Sequence, residues 1–271
     1  MTLYDLFKLV SRELKREALW IFSALGYPLK QIFVNGEKDV EERLVSKVLK
    51  IIEKRKERYP LQYLLGKTEF HGEEYFLSEG TFVPREDSEI LVNFALKVRQ
   101  EKGWIVDLGC GVGNLLLSFL VHSPKWRGIG VDILPSSIYW SRKNAENLGL
   151  ENRASFYLMD MFIFLEKFCG IFDLIVSNPP YIPSIDKDNL PPEVLREPEI
   201  TWLGGSKGME FYEKIIEKGR RILRKDGYII LEIGTKNQAE RIKGFFKKRG
   251  YREWGTEKDY FGLERLVWGK K

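Results

Sequence analysis

Ile105-Val106-Asp107-Leu108-Gly109-Cys110-Gly111-Val112-Gly113-Asn114 reads as a strand feeding a glycine-rich turn, with an apolar helical segment following at 115–121. Glycine carries no Cβ, so glycines in such a turn let a ligand come close to the backbone. A dinucleotide fingerprint would require G-x-G-x-x-G, and here its last position is Asn114. An acid, Asp107, stands shortly before the first glycine. A pyrophosphate is repelled by a carboxylate at that point, whereas a cationic amine is attracted to it. A second strand, 128–131, runs into Asp132, where a carboxylate can accept hydrogen bonds from both hydroxyls of a ribose.

Another apolar segment, 172–176, ends in Ser177-Asn178-Pro179-Pro180-Tyr181-Ile182-Pro183. Its apolar run is that of a strand buried on both faces. Proline lacks an N–H and fixes φ, so Pro179 and Pro180 stop the strand and stiffen the loop at its carboxyl end. That end of an open α/β sheet is where ligands bind. Asn178 brings a side-chain carbonyl, and the Asn178 and Pro179 backbone carbonyls add further acceptors, a set matched to a substrate NH₂ with two hydrogens to give. Tyr181 can lay its ring over a planar amide or base. Taken alone, the tetrapeptide is as consistent with a proline-rich loop and a buried tyrosine.

Around these two stretches strand and helix alternate, the pattern of a parallel sheet with crossovers. Strands are expected at 104–108, 128–131, 154–158, 172–176 and 228–232, with a terminal hairpin from 251–254 and 263–268. Helices are expected at 115–121, 136–148 and 208–223, and the proline-containing segment 186–201 reads as a long loop. Towards the amino end, Leu3, Leu6, Phe7, Val10 and Leu14 recur at spacings of three and four, which predicts a helix. The apolar segment 18–25 stops at Gly26-Tyr27-Pro28, and Leu44, Val48, Ile51 and Ile52 mark another amphipathic helix. From Tyr59 onward the texture predicts a β-hairpin with its turn at Ser78-Glu79-Gly80. Arg85-Glu86-Asp87-Ser88-Glu89 then opens a helix reaching residue 98, its acids suited to capping. His71, alone in the hairpin, is expected to be structural.

With 271 residues, 44% hydrophobic and 31% charged, the chain can bury a sizeable core. No window approaches the roughly 18 apolar residues of a membrane span, and the amino end lacks the pattern of a signal peptide. Cys110 and Cys169 are the only cysteines, which argues against a disulfide framework and for a reducing, cytoplasmic setting. The net charge of +5 is concentrated in residues 1–60, which carry +4, leaving +1 for the rest. That excess is too small for a general nucleic-acid binder. It fits a solvated helical surface or a docking face for an acidic partner.

Asn-Pro-Pro-Tyr after an apolar strand resembles the signature of methyltransferases that act on planar amino groups. Together with Asp107, the G-x-G-x-G turn and Asp132, it resembles the class I S-adenosylmethionine-dependent methyltransferases. The fuller match is to the release factor glutamine methyltransferases. It rests on the helical amino-terminal part, the V-P-R-x-x-[ST]-E-like stretch at 83–89, D-L-G-x-G-x-G and N-P-P-Y-I, and it covers nearly the whole chain. One departure is Met161 after Asp160, where some members carry an aromatic beside the adenine; methionine is apolar and adaptable enough to pack there.

The resemblance implies an α/β architecture: a Rossmann-like, seven-stranded, mostly parallel sheet with a terminal antiparallel strand. A small amino-terminal helical bundle is joined to it by a β-hairpin linker. The expected boundaries are 1–60 for a substrate-recognising helical domain, 61–88 for the linker and 89–271 for the methyltransferase domain. S-adenosylmethionine, leaving as S-adenosylhomocysteine, is expected to meet Asp107, Gly109, Cys110, Gly111, Val112, Gly113, Asp132, Met161 and Asn178. The glutamine of a Gly-Gly-Gln turn in a peptide chain release factor is expected at Asn178, Pro179, Pro180 and Tyr181, with Asn178, Pro179 and Tyr181 acting in catalysis. No metal, membrane or direct nucleic-acid partner is expected, and the chain is expected to act as a monomer. Two other readings stay open: an amino-group methyltransferase of DNA or RNA, and a non-catalytic nucleotide-binding protein on the same fold.

Overall fold

The computed structural model describes residues 1–259 and 261–271. Its chain divides into two compact units, Met1–Thr68 with Pro191–Arg196, and Glu69–Leu190 with Glu197–Lys271.

The first unit is helical. Helices Leu3–Leu14, Glu17–Ala24, Leu29–Val34, Glu42–Lys56 and Leu61–Leu65 enclose a core that includes Leu6, Val10, Ile21, Phe22, Ile32, Val48 and Ile51. Thr2 caps the first helix by accepting the Asp5 N–H at 3.2 Å. Helices Leu29–Val34 and Leu61–Leu65 are additions to the sequence reading; both follow a proline, whose fixed φ suits a helix start. Arg55 grips both carboxylate oxygens of Glu17, at 2.6 and 2.8 Å, and reaches Glu193 at 3.3 Å.

The hairpin is β1 (Lys67–Phe70) paired with β2 (Glu73–Phe76). Its turn is His71-Gly72, at φ 53° and 79°, and not Ser78-Glu79-Gly80. Two left-handed residues in succession give the turn whose twist matches the strands, and histidine is a less usual occupant than the asparagine or aspartate that would have signalled it. Part of the apolar run after Tyr59, expected to be extended, is the short helix Leu61–Leu65 instead.

The second unit is built on a seven-stranded sheet: β3 (Gly103–Leu108), β4 (Trp126–Asp132), β5 (Ala154–Leu158), β6 (Phe172–Ser177), β7 (Leu223–Glu232), β8 (Glu253–Lys258) and β9 (Glu264–Lys270). The order is β5-β4-β3-β6-β7-β9-β8, with β9 antiparallel to both of its neighbours and the other pairs parallel. This is the expected α/β sheet with its terminal antiparallel strand. Every residue of β6 is buried, as its apolar run predicted, Asp173 included. Ile175, Ile229 and Leu231 pack with Ile215 and Ile216 of helix Glu210–Ile222 and with Ile242 and Phe246 of helix Lys236–Lys248.

Helices Met161–Lys167 and Lys236–Lys248 were not among the expected elements. The second carries a capping box, Thr235 with Gln238, a signal that was legible in the sequence. The segment read as one long loop holds the turns Ser184–Asn189 and Glu199–Thr201 and the short helix Pro192–Leu195.

Parallel pairing brings the carboxyl ends of β3, β4, β5 and β6 to one edge. Asp107 lies level with Gly130 and with Val176, and Asp132 level with Leu158. The chain leaves β3 towards β4 and β5 on one side and returns to β6 and β7 on the other. The switch point therefore falls between β3 and β6, where open α/β sheets bind their ligands. No helix among the described residues is long and apolar enough to cross a membrane.

Candidate active site

A cavity opens at this edge of the sheet in the second unit. Its wall includes Gly109, Cys110, Gly111, Asp132, Met161, Asn178 and Pro180 from the expected set. It also includes Phe82, Ser88, Asn114, Asp160, Phe162, Ile200, Thr201 and Phe211, none of which was singled out for the site from sequence. Asp107, Val112, Gly113, Pro179 and Tyr181 were expected there and do not form part of its wall.

The turn after β3 explains part of that division. Gly111 sits at φ 52°, and a Cβ built on it would meet nothing within 4 Å, so the backbone faces open space. Gly113, at φ 86°, faces inward: a Cβ there would come within 3.1 Å of Leu117 Cδ1 and Phe156 Cζ. The first glycine leaves open space in front of the backbone, and the second serves packing of the turn on helix Asn114–Val121 and on β5.

Two carboxylates follow the same logic. Asp132 is on the cavity wall, its Oδ2 accepting the Gly111 N–H at 2.9 Å and its Oδ1 the Leu134 N–H at 2.8 Å. Burial raises its pKa, and these N–H groups partly offset the rise. A carboxylate has about four lone-pair sites, so acceptor capacity remains for a ligand. Asp107 lies behind the turn and is fully buried; neither of its oxygens has a hydrogen-bond partner among the described residues. Burial pushes its carboxyl up to about 8, with the nearby Asp132 adding to the rise.

Beyond β5, Asp160 caps helix Met161–Lys167 by accepting the Phe162 N–H at 2.6 Å. That cap carries Met161 over the glycine turn, its Cε 3.3 Å from where a Gly109 Cβ would lie. Phe162 stacks on Phe211, centroids 5.7 Å apart and planes at 30°. The cavity thus has an aromatic wall even though residue 161 is methionine.

In the loop after β6, Asn178 donates its Nδ2–H to Ser88 Oγ at 3.2 Å, while its Oδ1 takes no hydrogen bond from the described residues. Pro179 is buried. Tyr181 turns from the cavity wall: its hydroxyl donates to Glu232 Oε1 at 3.2 Å, and its backbone carbonyl accepts the Gln238 Nε2–H at 2.9 Å. Its ring lies 2.9 Å from where a Cβ on Gly234 would stand, so only glycine leaves room for it there. Ser88 also donates to Glu232 Oε2. Arg85 pairs with the buried Glu197, which anchors the segment carrying Ile200 and Thr201.

A methyltransferase domain model matches residues 100–256, and a model of the PrmC N-terminal domain matches residues 11–66. The release factor glutamine methyltransferase of Aquifex aeolicus is 34% identical over 270 residues, covering 97% of this chain and 93% of that protein. That of Geobacter sulfurreducens is 33% identical over 256 residues, covering 94% and 88%. Among solved structures, the hMettl16 catalytic domain in complex with MAT2A 3'UTR hairpin 6 superposes with a TM-score of 0.62 at 12% identity, covering 84% of this chain and 82% of that one. The putative transferase PH0793 from Pyrococcus horikoshii gives 0.51 at 18% identity, covering 75% and 70%. At such identities the likeness to these two structures is one of fold.

Proposed function

The chain belongs to the release factor glutamine methyltransferases, and from that premise we propose that its cavity takes S-adenosylmethionine beside Asn178, where the glutamine of a release factor is methylated on its side-chain nitrogen. The residues present fit that cofactor. Gly111 leaves open space, Asp132 has acceptor capacity for ribose hydroxyls, and the Phe162–Phe211 pair offers an apolar face for adenine. Asp107 supplies a buried, unpartnered carboxyl behind the turn, whose ionised form a cationic ligand beside it would favour. When bound, S-adenosylmethionine supplies an electrophilic methyl group on a sulfonium.

The observation that carries the reading is the state of Asn178. Its NH₂ edge is committed to Ser88, so its carbonyl edge is what it offers a ligand. An amide nitrogen is a weak nucleophile because its lone pair is delocalised into the carbonyl. Asn178 Oδ1, with the Pro179 carbonyl beside it in the chain, accepts the hydrogens of the incoming NH₂. That favours the pyramidal, more nucleophilic nitrogen of the transition state over the planar ground state. Tyr181 supports the loop through its bonds to Glu232 and Gln238.

The helical first unit recognises the folded release factor. Supporting this are the basic excess of residues 1–60 and exposed apolar side chains, among them Trp20 at 58% and Phe33 at 68%. Methyl transfer to a short Gly-Gly-Gln peptide, compared with the same peptide carrying asparagine for glutamine, tests the site. Transfer to the glutamine peptide alone is expected, and transfer to neither peptide or to both overturns the reading.

A further inference from the structure

Glu232 ends β7 and is 2% exposed, yet every polar atom of its side chain is engaged. Oε2 accepts the Ser88 hydroxyl and Oε1 accepts the Tyr181 hydroxyl at 3.2 Å, while its backbone carbonyl accepts the Tyr212 hydroxyl at 2.8 Å. Ser88, also 2% exposed, sits between Glu232 and the Asn178 amide. A serine hydroxyl has a single hydrogen to give. With that hydrogen directed to Glu232, Ser88 meets Asn178 only as an acceptor. The Asn178 amide is then held with its NH₂ edge towards Ser88 and its carbonyl edge free.

We propose that Glu232, acting through Ser88, is a positioning residue that fixes which edge of the Asn178 amide faces the substrate. This rests on the reading of Asn178 as the acceptor of the substrate NH₂. The relay has a direction, set by the ionised carboxylate. A protonated Glu232 that donates to Ser88 releases the serine hydrogen towards Asn178, whose amide then turns its carbonyl to Ser88 and its NH₂ outward. A donor would stand where the substrate needs an acceptor.

The groups facing Glu232 come from each surrounding element. Asp87 lies on the segment that carries Ser88, Arg265 on β9, Tyr181 on the loop after β6, and Tyr212 on helix Glu210–Ile222. Arg265 also pairs with Asp87 at 3.3 Å and with Asp259 at 3.4 Å. Burial dominates and raises the Glu232 carboxyl to about 7, so the relay titrates within the working range.

The test is kcat against pH from 5.5 to 8.5, roughly the span over which such a group titrates, at saturating S-adenosylmethionine and saturating Gly-Gly-Gln peptide. For the native chain kcat is expected to rise through about pH 7. Ser88→Ala should lower kcat about tenfold or more with an unchanged cofactor Kd, and Ser88→Thr, which keeps the hydroxyl, should restore it. Glu232→Gln should abolish the rise. Should Ser88→Ala match the native kcat while Asn178→Ala is inactive, or the rise persist in Glu232→Gln, the relay is refuted and the acceptor reading survives. Native turnover by Asn178→Ala instead refutes the acceptor reading and the relay with it. The serine pair keeps the test decisive if Glu232→Gln fails to fold.

Discussion

Asp132 Oδ2 accepts the Gly111 backbone N–H at 2.9 Å, so the carboxylate that ends β4 also holds the glycine turn that follows β3. A residue expected from sequence to serve only the ligand is part of the scaffold. Asp132→Ala should therefore do two things. It should weaken S-adenosylmethionine binding at least about tenfold, since charge-assisted bonds contribute roughly 1.5–3 kcal/mol each, and it should lower stability by about 1–3 kcal/mol as the Gly111 and Leu134 N–H groups lose their acceptor. Calorimetric titration and denaturant unfolding separate the two, and an unchanged cofactor affinity would remove Asp132 from the ligand site.

Asn178→Ala should leave cofactor binding near normal and lower kcat by about 10² or more, the loss typical of a missing transition-state bond. Single-turnover kinetics at saturating cofactor read this directly. A native rate would contradict the role given to the Asn178 carbonyl.

Asp107 predicts a pH dependence of stability. Its native pKa is raised from 3.8 to about 8, so the folded chain binds its proton more tightly than the unfolded chain does. The stability this group contributes is full below pH 3.8 and is lost as pH rises through about 8, at up to about 1.4 kcal/mol per pH unit. Asp107→Asn removes that dependence. Relative to the native chain, its stability should improve steadily between pH 5 and 8, a window inside the two pKa values. Urea unfolding curves of the two chains that shift in parallel with pH would show that Asp107 does not titrate this way.

Much of this site was legible. The glycine turn, Asp132 and Asn178 are local signals on a sheet whose strand segments were visible as apolar runs, and parallel pairing brought their ends to one edge. What escaped depends on contacts between distant parts of the chain. Ser88 and Glu232 are 144 residues apart, and each alone reads as a helix-start serine or a strand-end acid. Phe211 reaches Phe162 from another helix, a pairing no local pattern announces. Tyr181 was read from its motif as a ring facing the ligand; its burial beside Gly234 and its bond to Glu232 turn it elsewhere. The hairpin turn at His71-Gly72 was hidden because its left-handed first residue is a histidine.

If the first unit recognises the release factor as proposed, its exposed residues carry the contact. Trp20→Ala with Phe33→Ala removes two largely exposed side chains, so folding should change by no more than about 0.5 kcal/mol each. KM for an intact release factor should rise about tenfold or more, as for the loss of an aromatic anchor, and KM for a Gly-Gly-Gln peptide should stay as it was. Equal KM values for the native and substituted enzymes on the intact factor would place recognition elsewhere.

The cavity is proposed to methylate a release-factor glutamine beside Asn178. Incubating the full chain and a purified release factor with methyl-labelled S-adenosylmethionine, then mapping the label by peptide mass spectrometry, tests it most directly. A single added methyl on the side-chain nitrogen of the Gly-Gly-Gln glutamine is expected, absent with Asn178→Ala. Label on any other residue, or label on nucleic acid in the same mixture and none on the factor, would contradict it.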